Sequence, residues 1–493
     1  MNLLQNKYLG FFYISVYNIY KKEKYMPCFR LGSVFMYHIN FKKPIHVHFI
    51  GIGGISMSGL AEILLKENFT ISGSDSKSSN LTEHLISMGA TVFYPQRAEN
   101  VIPGIDVVVY TAAIHEDNPE LMEVRRQGIP TLTRAELLGQ LMKNYKTPIA
   151  ISGTHGKTTT TSMMSHILLE AEKDPTISVG GILKAIGGNI RVGNSDVFVT
   201  EACEYTNSFL DFFPKISVIL NVEEDHMDFF KDIDDIRSSF HRFAALLPED
   251  GALIINKNIE KMETITDGLS CKVITYSEVQ EADYSASNIT FDNFGNASFD
   301  LIKYGKYEGR IKLSVAGNHN VSNAHSVIAD ADQLDVDLET IQKGILSFTG
   351  TDRRFQYKGE VNGVTIIDDY AHHPTEIKAT LTSARNYPHR EIWCIFQPHT
   401  YTRTKAFFHE FAEALSLADH VILADIYAAR ETDTLGMSSE ALAEELKKLG
   451  ADAYYLSSFE AIENFALEKC IHGDVLITMG AGDVVNIGDS LLL

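Results

Sequence analysis

The stretch ISGTHGKTTTTSMMSHILLEA, residues 151–171, decides how the centre of this sequence folds. The segment TPIAIS that leads into it is typical of a buried strand. After the glycines, apolar residues recur at helical spacing, which predicts a helix with one buried face. The apolar residues of that face are Met163, Met164, Ile167 and Leu168. The stretch therefore predicts a strand, a glycine turn and a helix in direct succession.

The turn between this strand and this helix is suited to binding phosphate. Glycine lets backbone N–H groups approach phosphate oxygens, and the start of a helix favours anions. Lys157 can reach the β- and γ-phosphates of a nucleotide, and the Thr158 hydroxyl can bind Mg²⁺. The pattern is G-x-x-G-K-T and not the full G-x-x-x-x-G-K-T, because position 151 is isoleucine. An ordinary glycine-rich turn is the alternative interpretation.

Chain length, net charge and cysteine spacing restrict the classes of protein to which this sequence can belong. The 493 residues suggest about three domains. The formal net charge of −21 argues against general binding to nucleic acid or to anionic membranes, so we expect neither as a partner. The five cysteines are scattered and no two have CxxC spacing, which fits a reducing cytosol better than a disulfide framework or a zinc site. We therefore predict a cytoplasmic protein. Both a monomer and a homodimer are left open, because the sequence does not decide the oligomeric state.

The first 43 residues differ from the rest. They contain the apolar, aromatic run LGFFYISVYNIY, which is shorter than the roughly 18 residues needed to span a bilayer. We interpret residues 1–43 as an N-terminal extension that is disordered, or as a misassigned start with the true start near Met36. A peripheral or interaction segment and a secretion signal are the alternatives, although no A-x-A-like cleavage site follows.

From residue 44 onward, apolar β-rich runs alternate with segments of helical period. This alternation predicts an α/β fold with mostly parallel sheets. We divide the chain into three domains, at residues 44–143, 144–350 and 351–493. In the last of these, four short apolar runs each end in polar residues or glycine. Chemistry is expected at such carboxyl ends of parallel strands.

Acidic residues follow two further strands of the central domain. The segment VFVTEACEYTNSFL runs into Glu201 and Glu204, and ISVILNVEEDHMDFF runs into a group with His226. Oxygen ligands of this kind suit a hard cation such as Mg²⁺. A solvated acidic rim is the alternative interpretation. The acidic members of the second group are Glu223, Glu224, Asp225 and Asp228.

Three motifs of the central domain resemble those of the Mur ligases. They are G-T-H-G-K-T-T-T, E-A-C-E-x-x-x-S-F-L and N-x-x-x-D-H-x-D. The resemblance extends over about residues 44–493. It implies a Rossmann-like N-terminal domain, a central P-loop-type ATPase domain and a Rossmann-like C-terminal domain. It also implies that Thr158, Glu201 and His226 bind magnesium and that Lys157 binds the γ-phosphate. Many members read E-A-D-E-S-D, so Cys203 and Tyr205 depart from that form.

The resemblance implies further contacts with ATP. GNHNVSNAHS resembles the family motif G-x-H-N-x-x-N, which lies against adenine and ribose, although a polar helix cap is the alternative. An arginine pair, Arg353 and Arg354, is expected near the phosphates when the domains close, although it could also be a surface pair. The implied ATP-binding residues are Gly153, Thr154, His155, Gly156, Lys157, Thr158, Thr159, His319, Asn320, Asn323, Arg353 and Asp369.

The first domain begins with the strand, glycine turn and helix of HVHFIGIGGISMSGLAEILL. Ser56 occupies the place of the third glycine in G-x-G-x-x-G, so the indication of a dinucleotide site is weak. The resemblance implies instead that this domain holds the UDP part of a substrate. The implied contacts are Gly53, Gly54, Ile55, Ser56 and Met57 with the diphosphate, Asp75 and Thr111 near the uridine, and Asn189 of the central domain beside the sugar.

The last domain carries two polar clusters, in IIDDYAHHPTEI and FQPHTYTRT. We expect them on adjacent strand ends, with a helix starting at Pro374. The resemblance implies that Tyr370, His372 and Arg403 bind an amino acid, and an arginine suits bidentate pairing with its carboxylate. Many relatives have an arginine where Thr400 stands. Another departure is Arg430 in ADIYAARE, where the commoner form is D-x-Y-x-A-G-E.

The activity that the resemblance implies is ATP-dependent amide formation in peptidoglycan precursor synthesis. The γ-phosphate passes to the lactyl carboxylate of UDP-N-acetylmuramate, and the amine of L-alanine attacks the acyl phosphate. ATP and Mg²⁺ are the implied cofactors, and Lys157, His226 and Arg403 the implied catalytic residues. A base must take a proton from the amine, and spacing does not choose among the nearby histidines.

Three other functions remain open. A sibling ligase, adding another amino acid or acting on folate, shares the ATP loop but should lack the G-x-G-G turn or the D-D-Y-A-H-H-P cluster. An NAD-dependent oxidoreductase leaves the lysine–threonine loop unexplained. A non-catalytic nucleotide-binding protein would keep the loop but could lose the metal-binding acids, and Glu201 and His226 are both present.

Overall fold

The computed structural model describes residues 37–111, 113–429, 431–433 and 435–493. The greater part of the expected N-terminal extension, residues 1–36, lies outside the described residues, as does the departure at Arg430. Within the described part of the chain, the fold contains three sheets flanked by helices. None of the helices described there is both long and apolar enough to cross a membrane.

The first sheet has five parallel strands in the order β3-β2-β1-β4-β5. This is a Rossmann order, in which ligands bind at the crevice beside the first strand. The strands are β1 (His46–Ile50), β2 (Thr70–Ser74), β3 (Thr91–Phe93), β4 (Val107–Tyr110) and β5 (Thr131–Thr133). The helices are α1 (Ile55–Lys66), α2 (Asn80–Ser87), α3 (Pro119–Gln127) and α4 (Arg134–Met142).

The central sheet has ten strands in the order β15-β14-β13-β12-β11-β10-β6-β9-β7-β8. Its strands are β6 (Thr147–Ser152), β7 (Thr176–Leu183), β8 (Gly188–Arg191), β9 (Val197–Ala202), β10 (Ile216–Ile219), β11 (Ala252–Asn256), β12 (Lys272–Ser277), β13 (Tyr284–Phe291), β14 (Asn296–Lys303) and β15 (Lys306–Ala316). Its helices are α5 (Lys157–Glu170), α6 (Ile233–Ala244), α7 (Glu263–Thr266), α8 (His319–Asp332) and α9 (Leu338–Ser347).

The middle of this sheet is parallel, as predicted, but its two ends are antiparallel. Strand β8 pairs antiparallel with β7, and β13, β14 and β15 form an antiparallel extension. In β14 the buried residues alternate with half-buried ones. Such alternation is typical of a strand with one face on the core and one towards solvent, whereas the central parallel strands are covered on both faces.

Helix α5 covers the central parallel strands. Its predicted apolar residues, Met163, Met164, Ile167 and Leu168, have no exposed surface and belong to the main core of this domain. That core also includes residues of α8 and α9. The helix begins directly after the glycine turn, so this packing fixes the position of the phosphate loop relative to the sheet.

The third sheet has six strands in the order β16-β17-β21-β18-β19-β20, with only β16 antiparallel to its neighbour. The strands are β16 (Gln356–Val361), β17 (Val364–Asp369), β18 (Ile392–Phe396), β19 (His420–Leu423), β20 (Asp452–Tyr455) and β21 (Val475–Met479). The helices are α10 (Pro374–Ala384), α11 (Tyr401–Ala406), α12 (Phe408–Leu415), α13 (Ser439–Lys448), α14 (Phe459–Lys469) and α15 (Val485–Leu491).

One expectation about this sheet is wrong. The two polar clusters follow β17 and β18, and these strands are not adjacent, because the last strand of the chain, β21, lies between them. Strand β21 is buried along its whole length, which suits the centre of a sheet covered on both faces. The clusters are therefore separated by one strand, and Gly480, just after β21, lies in the gap.

Candidate functional site

A cavity of about 730 Å³ opens between the carboxyl ends of the central strands and the start of the third sheet. Its wall is built from the phosphate loop, the segment after β10, the start of α8 and the segments around β17. The ATP-binding residues predicted from the sequence that line this cavity are His155, Gly156, Thr159, His319, Asn320, Asn323 and Asp369. The volume falls within the range of small-molecule sites, which is about 300–1,000 Å³.

The phosphate loop depends on glycine at its last position. Gly156 precedes α5 with a φ of +85°, a left-handed conformation that side chains disfavour. A Cβ atom at Gly156 would lie 3.0 Å from Oδ1 of Asn323. The loop therefore packs directly against the start of α8, where the motif G-x-H-N-x-x-N lies. Two predicted ATP motifs, far apart in sequence, meet here.

Lys157 points back into the loop. Its Nζ donates to the carbonyl oxygen of Gly153 at 2.6 Å, to that of Thr154 at 3.1 Å and to Glu204 Oε2 at 3.0 Å. Burial opposes the charged form, but the Glu204 carboxylate outweighs it and holds the pKa of Lys157 above its usual value. The side chain is thus a fixed cation beneath the phosphate loop.

The Thr158 hydroxyl donates to Glu201 Oε2 at 3.1 Å, and Glu201 Oε1 accepts from the backbone N–H of Gly180 at 2.5 Å. Burial raises the pKa of Glu201, although these contacts and Lys157 oppose the shift. A hydroxyl and a carboxylate in contact at the edge of a phosphate loop are oxygen donors that suit Mg²⁺. These residues fit the predicted magnesium site.

His226 has a different set of neighbours. Its Nε2 lies 3.8 Å from Glu204 Oε1 and 3.8 Å from Asp225 Oδ2. Its ring stacks on Tyr205 with ring centroids 4.4 Å apart. Tyr205, one of the two departures from the family motif, also donates its hydroxyl to Asp228 at 2.8 Å. The aromatic residue at this position therefore fixes the ring of the predicted metal ligand.

Among the described residues, His155, Glu223 and His373 have ligand atoms within 4.8 Å of one another, the donor set of a metal site. Both ring nitrogens of His373 are already engaged, however. Nε2 lies 3.1 Å from the carbonyl oxygen of Glu224, and Nδ1 accepts from the backbone N–H of Thr375 at 3.3 Å. Ligation would break one of these hydrogen bonds, so we interpret the group as a hydrogen-bonded contact between the central and third sheets.

His155 is the centre of that contact. Its Nδ1 lies 3.2 Å from Glu376 Oε1, and its Nε2 lies 3.5 Å from Glu223 Oε2. Burial by itself would lower the pKa of His155, but the two carboxylates outweigh it and raise the pKa to about 9. The imidazole is therefore charged at neutral pH and joins the phosphate loop to α10.

The predicted amino-acid-binding residues lie beside this contact. Arg403 Nη2 donates to Asp225 Oδ1 at 3.0 Å and Nη1 donates to the carbonyl oxygen of His399 at 3.0 Å. Burial by itself would raise the pKa of Asp225, but Arg403 together with His226 and His373 outweighs it and holds that pKa well below its usual range. The rings of His372 and His399 lie 6.0 Å apart, so the clusters after β17 and β18 meet despite the intervening strand.

The arginine pair divides between two locations. Arg353 donates to Asp368 at 3.2 Å and to the carbonyl oxygen of Gly480 at 2.7 Å, so it is engaged within the third sheet. Arg354 lines the cavity. Both guanidinium groups lie over the ring of Tyr370, at 4.9 and 5.1 Å from its centroid. The ring of Tyr370 is thus covered by two cations.

Asp369 lines the same cavity and is held by two backbone donors. The N–H groups of Phe355 and Ala371 each donate to it at 2.7 Å. Burial raises the pKa of Asp369 to about 6 in spite of Arg354 and these donors. Its carboxyl group is fixed at the end of β17, at the carboxyl edge of the third sheet.

The predicted UDP contacts lie at the crevice of the first sheet. Asp75 Oδ2 accepts from the backbone N–H of Gly53 at 2.8 Å, so this carboxylate is tied to the turn after β1. Ile55 is exposed, whereas the Met57 side chain is buried and offers a ligand only its backbone. Thr111 lies beside the same turn, since its Cγ2 would be 2.9 Å from a Cβ at Gly51.

Asn189 connects this turn to the central sheet. Its Nδ2 donates to the carbonyl oxygen of Ile55, at the start of α1, at 3.4 Å. Its neighbour Ile190 lies against Gly59 of α1 so closely that a Cβ at Gly59 would be 2.1 Å from it. Strand β8 of the central sheet therefore packs on the helix that begins at the predicted diphosphate site.

Sequence reasoning missed three residues of the site. Asn221 fixes both sides of the loop at His155, accepting from its N–H at 2.7 Å and donating to its carbonyl oxygen at 3.0 Å. Asn256 lines the cavity, and Glu376 contacts His155. Asn221 follows the apolar run ISVIL and Asn256 ends β11, so each is the first polar group after a buried strand. That position was the available signal.

The departure at Thr400 has a local explanation. Its hydroxyl donates to Glu431 Oε1 at 2.6 Å, and the backbone N–H of Thr402 donates to Glu431 Oε2 at 3.0 Å. The Arg403 guanidinium does not donate to Thr400; it donates to the carbonyl oxygen of His399. The loop before α11 is therefore held by a threonine–glutamate contact where many relatives carry an arginine.

Comparison with family models gives matches over nearly the whole described chain. Residues 46–146 match the model described as Mur ligase family, catalytic domain. Residues 151–331 match the Mur ligase middle domain, and residues 353–482 match the Mur ligase, glutamate ligase domain. The chain belongs to the Mur ligase family. The resemblance recognised in its sequence motifs is thereby confirmed, as is the α/β fold with three sheet-containing domains.

Two relatives with high sequence identity to this chain are both named UDP-N-acetylmuramate–L-alanine ligase. The UDP-N-acetylmuramate–L-alanine ligase of Agathobacter rectalis is 60% identical over 457 residues, covering 93% of this chain and 100% of that protein. The ligase of the same name from Lachnospira eligens is 59% identical over 458 residues, with the same coverage.

Solved structures of Mur ligases are also similar to this chain. The UDP-N-acetylmuramate–alanine ligase of Thermotoga maritima has a TM-score of 0.75 at 30% identity, covering 91% of this chain and 98% of that one. A murein peptide ligase from Psychrobacter arcticus has a TM-score of 0.66 at 25% identity, with the same coverage. The fold of this chain is thus similar to those of two Mur ligases that carry different names.

Proposed function

We propose that this Mur ligase joins L-alanine to the lactyl carboxylate of UDP-N-acetylmuramate with consumption of ATP. The observation that supports this most strongly is the 60% identity to a UDP-N-acetylmuramate–L-alanine ligase along that protein's entire length. The geometry supports it as well, because a phosphate loop and a cluster with His372 and Arg403 meet at the junction of the central and third sheets. We assign the reaction to peptidoglycan precursor synthesis in the cytoplasm.

ATP would occupy the cavity of about 730 Å³. Backbone N–H groups at the start of α5 would receive the phosphates, and Lys157 would turn from Glu204 towards the γ-phosphate. We propose His319, Asn320 and Asn323, which line this cavity, as the contacts of the adenosine. Arg354, which lines the cavity, is better placed than Arg353 to meet the phosphates, since Arg353 is bonded to Asp368 and Gly480.

We propose Thr158, Glu201 and His226 as the residues that hold magnesium. The ion, when bound, neutralises charge that develops on the transferred phosphoryl group. Lys157, once it has turned from Glu204 to the γ-phosphate, serves the same end as a cation, and Thr158 is already oriented by Glu201. Because phosphoryl transfer requires little covalent chemistry from the protein, the contribution of these side chains is positioning and charge.

The chemistry proceeds in two steps. An oxygen of the lactyl carboxylate attacks the γ-phosphorus, the bond to ADP breaks, and an acyl phosphate forms. The alanine nitrogen then attacks the acyl carbon, the bond to the phosphate oxygen breaks, and inorganic phosphate leaves as the amine gives up a proton to a nearby histidine acting as base. Arg403 would bind the alanine carboxylate, and Tyr370 and His372 would form the rest of that site. Asp225, now paired with Arg403, would share or release it.

The UDP part would bind at the crevice of the first sheet, with its diphosphate at the start of α1. There the backbone of Gly53 to Met57 and the side chain of Asp75 surround the turn. Asn189 reaches this turn from β8 and would contact the sugar, which would then extend from the turn towards the phosphate loop. Strand β7, which follows α5, runs directly into β8, so one segment links the two sites.

The decisive experiment measures phosphate release with ATP, Mg²⁺ and UDP-N-acetylmuramate while amino acids are supplied one at a time. We expect release with L-alanine to exceed that with glycine or L-serine. A second arm supplies L-alanyl-γ-D-glutamyl-meso-diaminopimelate, the acceptor named for a Neisseria relative that is 28% identical. Release with that peptide and not with alanine would reject the proposed function in favour of a murein peptide ligase.

A further inference from the structure

We propose that Glu376 is a positioning residue that couples the nucleotide site to the amino-acid site, an inference that rests on the proposed function. Its two carboxylate oxygens contact histidines from two different sites. Oε1 lies 3.2 Å from Nδ1 of His155, on the phosphate loop. Oε2 lies 3.3 Å from Nδ1 of His372 and accepts from the His372 backbone N–H at 3.0 Å.

The position of Glu376 follows from the start of α10. His373 is the N-cap, Pro374 is the first helical residue and Glu376 is the third. A glutamate at this position commonly reaches back to the N-cap backbone and closes a capping box. Here it reaches one residue further, to His372, and its second oxygen remains for another partner. That partner comes from a different sheet.

Both histidines are constrained by more than Glu376. The backbone of His155 is held on both sides by Asn221, so the position of this residue is tied to that of the phosphate loop. Nδ1 of His372 also lies 3.0 Å from the carbonyl oxygen of Tyr370. Because both neighbours of that nitrogen are acceptors, Nδ1 carries a proton. The carboxylate therefore holds the His372 ring by its Nδ1 edge.

The two sites are coupled because a buried carboxylate without a hydrogen-bond partner is unfavourable in free energy. The Glu376 side chain is only 15% exposed. His155 and His372 oppose the effect of burial and keep the pKa of Glu376 well below its usual value. If either histidine withdraws, this largely buried carboxylate loses a hydrogen-bond partner, and the unpaired charge costs free energy. A nucleotide that orders the phosphate loop thus also orders the alanine site.

The test is the variant Glu376→Gln, assayed for phosphate release with each substrate varied in turn. An amide has one accepting end, so it satisfies at most one of the two histidine N–H groups. Loss of a hydrogen bond to a charged group is worth about tenfold or more in binding. We expect the KM for ATP and the KM for alanine each to rise about tenfold. The KM for UDP-N-acetylmuramate should change less than about twofold.

Glu223→Gln is the matched control. Glu223 also lies against His155, and its Oε2 accepts from the Thr375 hydroxyl at 2.8 Å, but its contacts do not include His372. This variant should raise the KM for ATP and leave that for alanine unchanged. Equal effects of the two variants on alanine, or an effect of Glu376→Gln on one KM alone, would overturn the coupling.

A purely structural role for Glu376 gives a different result. If it only closes the start of α10, Glu376→Gln lowers the Tm while both KM values stay at the wild-type level, and the proposal is rejected. Asp337 provides the comparison, since its side chain caps α9 away from these sites. Asp337→Asn measures the loss of Tm that a weakened cap produces without a change in KM.

Failure of the proposed function is detected separately. Wild-type protein that releases no phosphate with any amino acid rejects that function. The coupling is then measured by NMR of ¹⁵N-histidine-labelled protein titrated with a non-hydrolysable ATP analogue, with the His372 signal assigned from His372→Gln. We expect the analogue to shift the His372 signal in wild type and not in Glu376→Gln. A wild-type signal that does not respond overturns the inference.

Discussion

Lys157 and Glu204 form an ion pair beneath the phosphate loop, with Nζ 3.0 Å from Oε2; the Glu204 side chain is almost fully buried and that of Lys157 is largely buried. The lysine that the sequence predicts to hold a γ-phosphate is therefore already neutralised by a carboxylate from the segment after β9. A triphosphate entering the loop must compete with Glu204 for that cation. Glu204 also lies 3.8 Å from His226, so the exchange would reach the proposed metal ligand.

The first prediction concerns Lys157→Met. Removal of the cation should lower alanine-dependent phosphate release by about 10²–10³-fold or more, because charge on the transferred phosphoryl group is no longer compensated. Binding of UDP-N-acetylmuramate, measured by calorimetry, should stay near the wild-type level because that site lies on the first sheet. Loss of both together would indicate misfolding and would contradict a phosphate role.

This substitution also leaves Glu204 buried without its partner, which by itself destabilises a protein. Lys157→Met combined with Glu204→Gln is therefore the appropriate control. We expect the double variant to regain thermal stability and to remain inactive. Recovery of activity in the double variant would show that Lys157 serves only to neutralise Glu204.

The second prediction concerns Arg403. Charge-assisted hydrogen bonds contribute about 1.5–3 kcal/mol, so Arg403→Ala should raise the KM for alanine by roughly 10–100-fold and that for ATP much less. Arg403→Lys keeps the charge but not the planar fork, and should recover only part of the affinity. The measurement is the initial rate with alanine varied at saturating ATP. An unchanged alanine dependence would remove Arg403 from the site.

The third prediction concerns pH. The pKa of His155 is raised from about 6.5 to about 9, so its charge stabilises the folded protein fully below pH 6.5 and less as the pH rises through 9. The groups that face it are Glu223, Glu376 and His373. The contribution is of the order of 3 kcal/mol. We expect the Tm of wild type to fall between pH 7 and 10 relative to that of His155→Gln, measured in parallel. Parallel curves would contradict the charged state.

The fourth prediction concerns Tyr205, which stacks on His226. Tyr205→Leu should free the imidazole ring and raise by severalfold the Mg²⁺ concentration that gives half-maximal activity. Tyr205→Phe retains the ring and should behave like wild type. Binding of Mn²⁺, followed by electron paramagnetic resonance, gives a readout that does not depend on turnover. If both variants weaken Mn²⁺ binding equally, the hydroxyl bond to Asp228 and not the stacking is responsible.

The local sequence pattern was sufficient to predict the strand and the helix that flank the phosphate loop. The segment TPIAIS forms β6, and the helix begins at Lys157, directly after the glycine turn, as predicted. Pro374 opens α10, as predicted. These features depend on the periodicity of neighbouring side chains and on the conformations that glycine and proline allow. Both properties belong to a few consecutive residues and can be read without the rest of the chain.

Motif spacing also indicated the family, and many of the site residues that it implied lie just after the carboxyl ends of strands, whereas Asn320 and Asn323 lie in α8. It did not distinguish Arg353 from Arg354, because adjacent residues of a motif face different neighbours once the backbone turns. Arg353 has a φ of +62°, which directs it towards Asp368, and Arg354 lines the cavity. Because both residues are arginine, the sequence of the pair alone does not show which of them faces the cavity.

The sequence by itself determined the three α/β segments, the phosphate loop and the family to which the chain belongs, because each is recorded in short-range periodicity or in a contiguous motif. Only the tertiary structure decided that β21 separates the two clusters of the third sheet, and that Glu376 joins His155 to His372. Those relationships connect residues that are more than a hundred positions apart in the chain or on different sheets. They arise from which strands pair and which sheets pack together, and no local pattern of residues encodes that choice.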